Sequence, residues 1–262
     1  MTTDTGTGSP ATFPGRDGLE LVYHSIGQGR PFVLLHGFTG SGRQFLQHGL
    51  ASALAGHGYR VIAPDLRGHG GSPRPHDPAA YPPDVLADDG LALIDFLQLR
   101  DYDLGGYSLG GRIVLRMLAR GTRPAHAIIG GQGLDVLGGP TSRTGGYRRA
   151  LAAIVSGGRL EPGSPGAMLA AGVAQAGADP EALLRVLDTF VETPETALAE
   201  ITTPVLVVAG DQDDRRAGQL AAALPGARYA QVPGNHLTAL AGPELQAAIL
   251  AFLGEDAAQP PR

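Results

Sequence analysis

Short apolar runs alternate with longer amphipathic segments along most of this chain. Residues 32–35, 60–63, 103–107, 127–129, 204–209 and 229–232 form brief runs rich in Val, Ile and Leu, bounded by Gly or Pro. Such runs predict strands buried on both faces. Residues 20–25 predict an earlier strand able to pair in a hairpin. Helical periodicity fills the intervals. Residues 84–97 set Val85, Ala92, Ile94, Phe96 and Leu97 among acidic positions, 112–118 run on from a Gly-rich turn, and 244–253 repeat apolar residues at i, i+3 and i+4. Strands alternating with helices predict an α/β fold, a mainly parallel sheet covered on both faces.

The rhythm breaks between about residues 135 and 203, where Gly/Pro/Ala-rich loops and helical pieces such as 167–176 and 180–190 replace strands. A helical insertion between two sheet strands can cap a crevice at the sheet's carboxyl edge. The expected organisation is therefore a flexible tail at 1–16, a core formed by 17–134 and 201–254, a helical lid at 135–200, and a second tail at 255–262.

Composition narrows the chemistry. The formal charge is −5 with no basic tract, so a nucleic-acid partner is not expected. All 20 basic residues are arginine, which excludes lysine Schiff bases and lysine general bases. With no cysteine, disulfides, thiolate nucleophiles and Cys-held metals are excluded. The polar start of the chain lacks the features of a signal peptide, and no apolar stretch approaches the ~18 residues of a membrane span. A cytoplasmic protein acting on a small molecule is the expectation. Zinc-protease, EF-hand, Walker A and dinucleotide motifs are absent, so neither a metal nor another cofactor is implied.

The strongest chemical signal is Gly106-Tyr107-Ser108-Leu109-Gly110, set where a strand meets a helix. A G-x-S-x-G turn there holds the serine in a strained conformation with its hydroxyl exposed above the sheet edge. Four further segments follow predicted strands: His36-Gly37-Phe38-Thr39-Gly40; Pro64-Asp65-Leu66-Arg67-Gly68-His69-Gly70-Gly71-Ser72; and the pair Gly210-Asp211-Gln212-Asp213 and Pro233-Gly234-Asn235-His236. Together with the serine turn, these motifs resemble the α/β-hydrolase superfamily over nearly the whole ordered chain.

A serine hydroxyl needs a neighbouring imidazole to take its proton, and a carboxylate on the far ring nitrogen to fix the tautomer. Ser108 is the expected nucleophile. Of the eight histidines, His236 alone follows the final strand on a glycine-containing turn. His36 and His69 lie in motifs where the resemblance implies structural roles, and His24, His48, His57, His76 and His126 lack a supporting context. For the acid, Asp211, Asp213 and Asp214 crowd one loop, and Asp135 is a further alternative. The family's habit of placing the acid three residues beyond the strand's last glycine selects Asp213. The resemblance also implies two oxyanion donors, the backbone N–H groups of Phe38 and Leu109. Arg112, one helical turn after Ser108, is a candidate for binding a substrate anion or else a structural arginine, and Arg143, Arg148 and Arg149 carry the same ambiguity. Met168, Leu169 and Phe190 point to an apolar pocket of moderate size.

The expected activity is hydrolysis of a carboxylic ester, lactone or related acyl compound through an acyl-enzyme on Ser108. One alternative is a lyase. The segments 36–41 and 106–112 are similar to those of the pyruvate-eliminating synthase of menaquinone biosynthesis, which uses the triad as a base and arginines for substrate carboxylates. Against it, the lid has no tryptophan. Another alternative is a non-catalytic, ligand-binding member of the fold. Serine at the elbow excludes the aspartate-nucleophile branch.

Overall fold

The computed structural model describes residues 9–47, 49–139, 144–213 and 215–255. Eight strands form one sheet: β1 (Ala11–Pro14), β2 (Glu20–Ile26), β3 (Arg30–Leu35), β4 (Tyr59–Pro64), β5 (Asp103–Tyr107), β6 (Ala127–Gly130), β7 (Val205–Gly210) and β8 (Arg228–Val232). Their spatial order is β1-β2-β4-β3-β5-β6-β7-β8. β2 runs antiparallel to β1 and β4, and all other pairs are parallel. Parallel pairing brings the carboxyl ends of β3, β4, β5, β7 and β8 to one edge, where every motif named above emerges.

β1 corrects the expected tail. Ala11–Pro14 pair with 20–23 of β2, and Phe13 is buried. A four-residue edge strand has too short an apolar pattern to stand out; pairing with its neighbour creates it. This hairpin gives β2 its predicted partner.

Alternation along the strands divides the core. Val33 and Leu35 pack into one cluster with α3 (Val85–Phe96), α4 (Leu109–Ala119) and α8 (Ala217–Ala223). Phe32 and Leu34 face the other way, toward α1 (Gly42–Gln47), α2 (Gly49–Gly56) and α10 (Pro243–Glu255). The two-residue period of a strand makes this division automatic. A short helix, α9 (Thr238–Ala241), precedes α10.

Between β6 and β7 the chain forms α5 (Gly145–Val155), α6 (Pro165–Ala176) and α7 (Pro180–Asp188), flanked by 3-10 turns at Leu134–Leu137 and Glu195–Glu200. Local chemistry sets two of these helices. Ser164 accepts a hydrogen bond from the Ala167 N–H, Asp179 accepts from the Glu181 and Ala182 N–H groups, and each helix has a proline in its first turn. Both are N-caps that satisfy donors the helix cannot. Leu151, Val173, Leu183 and Leu187 build a small core shared by the three helices. Among the described residues no helix is long and apolar enough to cross a membrane.

Two polar clusters stiffen the loops beneath the site. The buried Asp65 carboxylate accepts from the N–H groups of Gly42 and Gly71 and bonds His24, drawing the turn after β4 against the start of α1. Arg67, fully buried, holds Asp89 and Asp17 together. A different polar group nearby lacks a partner. The Tyr81 hydroxyl is buried with no hydrogen bond among the described residues, and burial pushes its pKa up to about 12. An unpaired buried hydroxyl costs stability, so Tyr81→Phe is expected to raise Tm by roughly 2–4 °C, the equivalent of about 1 kcal/mol. Differential scanning calorimetry reads this directly, and a lowered Tm would show that the hydroxyl is bonded in solution.

Candidate active site

Ser108 sits between β5 and α4 with φ 56° and ψ −113°, a backbone conformation that a non-glycine residue adopts only under strain. Glycines make the turn possible. A Cβ on Gly106 would lie 2.3 Å from the carbonyl carbon of Gly110, and one on Gly110 would lie 2.0 Å from the Leu35 carbonyl oxygen. Strand, helix and β3 therefore approach as closely as backbone allows, and Ser108 is left half-buried at the sheet edge.

Three side chains distant in sequence converge there. His236, on the loop after β8, places Nε2 3.0 Å from Ser108 Oγ. Its Nδ1 lies 2.6 Å from Asp213 Oδ2, on the loop after β7. A carboxylate only accepts, so Nδ1 carries the proton and Nε2 is free to accept from the serine hydroxyl. Asp213 is almost fully buried. Burial pushes its carboxyl pKa up, but the hydrogen bond and charge of His236, with Arg215 beyond, outweigh this and hold it below the ordinary range.

Two of the rival acids are placed elsewhere. Asp211 accepts from the Gly234 N–H and so shapes the histidine loop. Asp135 lies in the 3-10 turn at the start of the insertion. Asp214, like Arg143 and His48, is outside the described residues.

The loop after β3 is braced by the two motif histidines. His36 Nδ1 bonds the Gly37 carbonyl at 2.8 Å, and its Nε2 accepts from the Leu66 N–H at 3.1 Å, which requires a neutral ring. Burial, with His69 next in effect, pulls its pKa down to about 3. His69 Nε2 lies 2.7 Å from the Phe38 carbonyl. With their carbonyls tied back, Gly37 and Phe38 are fixed beside the serine; a Cβ on Gly37 would lie 3.6 Å from that of Ser108. Leu109 is the first residue of α4, so its N–H has no acceptor within the helix and carries the positive end of the helix dipole.

Of the two roles open to Arg112, its contacts fit the structural one. Its guanidinium is nearly buried and donates to the carbonyls of Val136, Gly138 and Val191, the two stems of the insertion, with the Phe190 ring 4.3 Å away. Burial, then the neighbouring Arg116, draws its pKa down to about 10. Every polar contact it makes is with main chain, so it fastens the insertion to the helix that carries the serine. Arg148 likewise joins α5 to α7 through Asp188 and the Leu187 carbonyl, while Arg149 is exposed. Tyr147 of α5 packs edge-on against Phe38, ring centroids 5.5 Å apart, so the insertion reaches the candidate oxyanion loop.

Sequence reasoning passed over three residues of the site. The Tyr107 hydroxyl donates to the His236 carbonyl at 2.7 Å. Gln132 donates through Nε2 to the Ser108 carbonyl, and Arg215 Nη1 donates to Gln132 Oε1 at 3.2 Å. Tyr107 stood inside the serine motif, but no local pattern marks Gln132 or Arg215.

Comparison with known proteins shows the family and the fold. A family model described as alpha/beta hydrolase fold matches residues 30–130. The non-heme haloperoxidase of Rhodococcus erythropolis is 32% identical over 225 residues, covering 75% of this chain and 80% of that protein. The AB hydrolase superfamily protein YisY of Bacillus subtilis (strain 168) is 41% identical over 100 residues, 38% of this chain; the match spans only 36% of that relative's length. Among solved structures, an esterase from Rhodococcus sp. ECU1013 superposes with a TM-score of 0.72 at 26% identity, covering 94% of this chain and 99% of that one. The chain belongs to the α/β-hydrolase superfamily.

Proposed function

We propose that this protein hydrolyses a carboxylic ester, lactone or related acyl compound through an acyl-enzyme on Ser108. The observation that carries the reading is the unbroken chain from Ser108 Oγ to His236 at 3.0 Å and on to Asp213 at 2.6 Å. As Oγ attacks the substrate carbonyl carbon, Nε2 takes the hydroxyl proton and Asp213 stabilises the imidazolium. Negative charge gathers on the former carbonyl oxygen, where the N–H groups of Phe38 and Leu109 would receive it. Collapse expels the alcohol, protonated by His236. Water then repeats the sequence on the acyl-serine, releasing the acid and restoring the serine. The similarity to an esterase of known structure supports this reaction class.

The insertion at 135–200 is the proposed lid. Its contact with Phe38 brings Tyr147 of α5 to the candidate oxyanion loop. The lyase alternative loses its arginine, because the Arg112 guanidinium is occupied by the insertion's own carbonyls.

A fluorophosphonate probe followed by peptide mapping tests the site, with an adduct on the Ser108 peptide expected in folded protein. Short-chain aryl esters are expected to be turned over, and pyruvate is not expected from the menaquinone intermediate. Folded protein without an adduct would instead mark a binding module.

A further inference from the structure

The polar contacts around Ser108 close on themselves. From Ser108 Oγ the path runs to His236, to Asp213 Oδ2, and across the same carboxylate to Oδ1, which lies 3.4 Å from Arg215 Nε. Arg215 Nη1 then donates to Gln132 Oε1 at 3.2 Å, and Gln132 Nε2 donates to the carbonyl of Ser108. We propose that Arg215 and Gln132 are positioning residues: Gln132 holds the strained nucleophile backbone, and Arg215 both orients Gln132 and sets the pH range in which His236 works as a base. This rests on the proposed hydrolase reading, whose site it deepens.

The two ends of the Gln132 amide are chemically distinct, and its neighbours fix which is which. A guanidinium only donates and a carbonyl only accepts, so oxygen must face Arg215 and nitrogen must face Ser108. Gln132 itself is buried, so a flipped amide would leave two mismatched groups without water to rescue them. The Ser108 carbonyl also accepts the Arg112 N–H at 3.1 Å, which makes Gln132 the second donor to the residue with φ 56°. Holding that carbonyl holds the rotation that presents Oγ to His236.

Arg215 acts through charge as well. It shares the Asp213 carboxylate with His236, and its side chain is 19% exposed, so water screens it only in part. A fixed cation there shares the Asp213 carboxylate with the imidazole ring, so Arg215 acts on His236 through that carboxylate. Among the described residues, the other titratable groups facing this pair are Tyr107, whose ring lies 5.3 Å from that of His236, Asp211 on the loop after β7, which accepts from the Gly234 N–H, and Tyr229 of β8, which feels the Asp213 charge. None of these supplies a second positive charge.

The test compares wild type with Arg215→Gln, Arg215→Lys and Gln132→Met. The His236 ring is titrated by NMR, assigned with His236→Asn, and the pH profile of kcat/KM is measured on an aryl ester. Arg215→Gln is expected to raise the His236 midpoint and the acidic limb together by roughly half to one pH unit, with Arg215→Lys restoring most of the shift. Gln132→Met is expected to lower kcat by about 5–10-fold with KM little changed, the signature of misplaced chemistry at a site that still binds. A midpoint in Arg215→Gln within about 0.2 unit of wild type, or a lysine variant that behaves as the glutamine one, overturns the proposal. The NMR midpoint needs no turnover. A protein that hydrolyses none of the esters therefore defeats the hydrolase reading while the circuit is still judged on its own.

Discussion

Ser108→Ala is expected to lower turnover of an activated ester by ~10⁶-fold while leaving Tm close to that of wild type. The size follows from the proposed division of labour: without Oγ there is no atom for the acyl group to join, and His236 has no proton to take. What survives is the rate given by substrate binding and the two oxyanion donors acting on water alone. The fold should be indifferent, because alanine keeps the Cβ and the elbow is held by the close approach of Gly106 and Gly110 to their neighbours' main chain. Paired measurements of steady-state kinetics and thermal unfolding separate the two effects. Turnover within tenfold of wild type would falsify the acyl-enzyme on Ser108.

The largest effect on stability is expected at Arg67. This side chain is fully buried, yet it carries a charge. Nε and Nη2 donate to the Asp89 carboxylate at 2.9 and 3.0 Å, Nη1 and Nη2 to Asp17 at 2.7 Å each, and Nη1 also to the Ala80 carbonyl at 2.8 Å. Asp89 is itself buried, and burial raises its pKa even with the arginine present. Arg67→Met would leave that buried carboxylate with the Arg16 N–H as a donor but without its countercharge. Breaking a buried pair from one side costs about 3–5 kcal/mol, which in a chain of this size lowers Tm by roughly 6–20 °C. Adding Asp89→Leu should recover part of the loss, since well-packed apolar replacements of both partners are often neutral. A single variant that melts within about 2 °C of wild type would show that the network contributes little.

The same cluster has a pH signature. The hydrogen bond from Arg67 overcomes burial and draws Asp17 from 3.8 down to about 2. A carboxylate depressed on folding adds stability above its unfolded pKa and loses it as pH falls through the folded one. Between about pH 4 and 2, wild type should therefore shed an increment of stability that Arg67→Met has already lost.

The elements legible in the sequence were those whose cause is local. Seven strands were predicted, and the apolar runs at β3, β4, β5, β6 and β7 became buried strands, because a buried strand must be apolar along its own length, whereas β8 is an edge strand in which only Val232 is buried; α3, α4 and α10 were legible from their periodicity. β1 was not, since only Phe13 of its four residues is buried and its pairing with β2 makes it a strand. Helices α1, α2, α5 and α8 also escaped. They are rich in Gly, Ala or polar residues, and their apolar faces become evident only once the sheet, or for α5 the other helices of the insertion, is there to receive them.

What the sequence determined by itself was the elbow and its neighbours. A steric rule within five residues forces Gly106 beside Ser108, while Gly110 is required by the approach of β3 at Leu35, and the resemblance of four loops indicated which edge would carry the chemistry. Only the tertiary structure decided which aspartate meets the imidazole, that Arg112 turns to the insertion's carbonyls, and that Gln132 and Arg215 join the site. Those contacts link groups 23 to 128 positions apart, so they depend on strand register and loop packing, which no local pattern encodes.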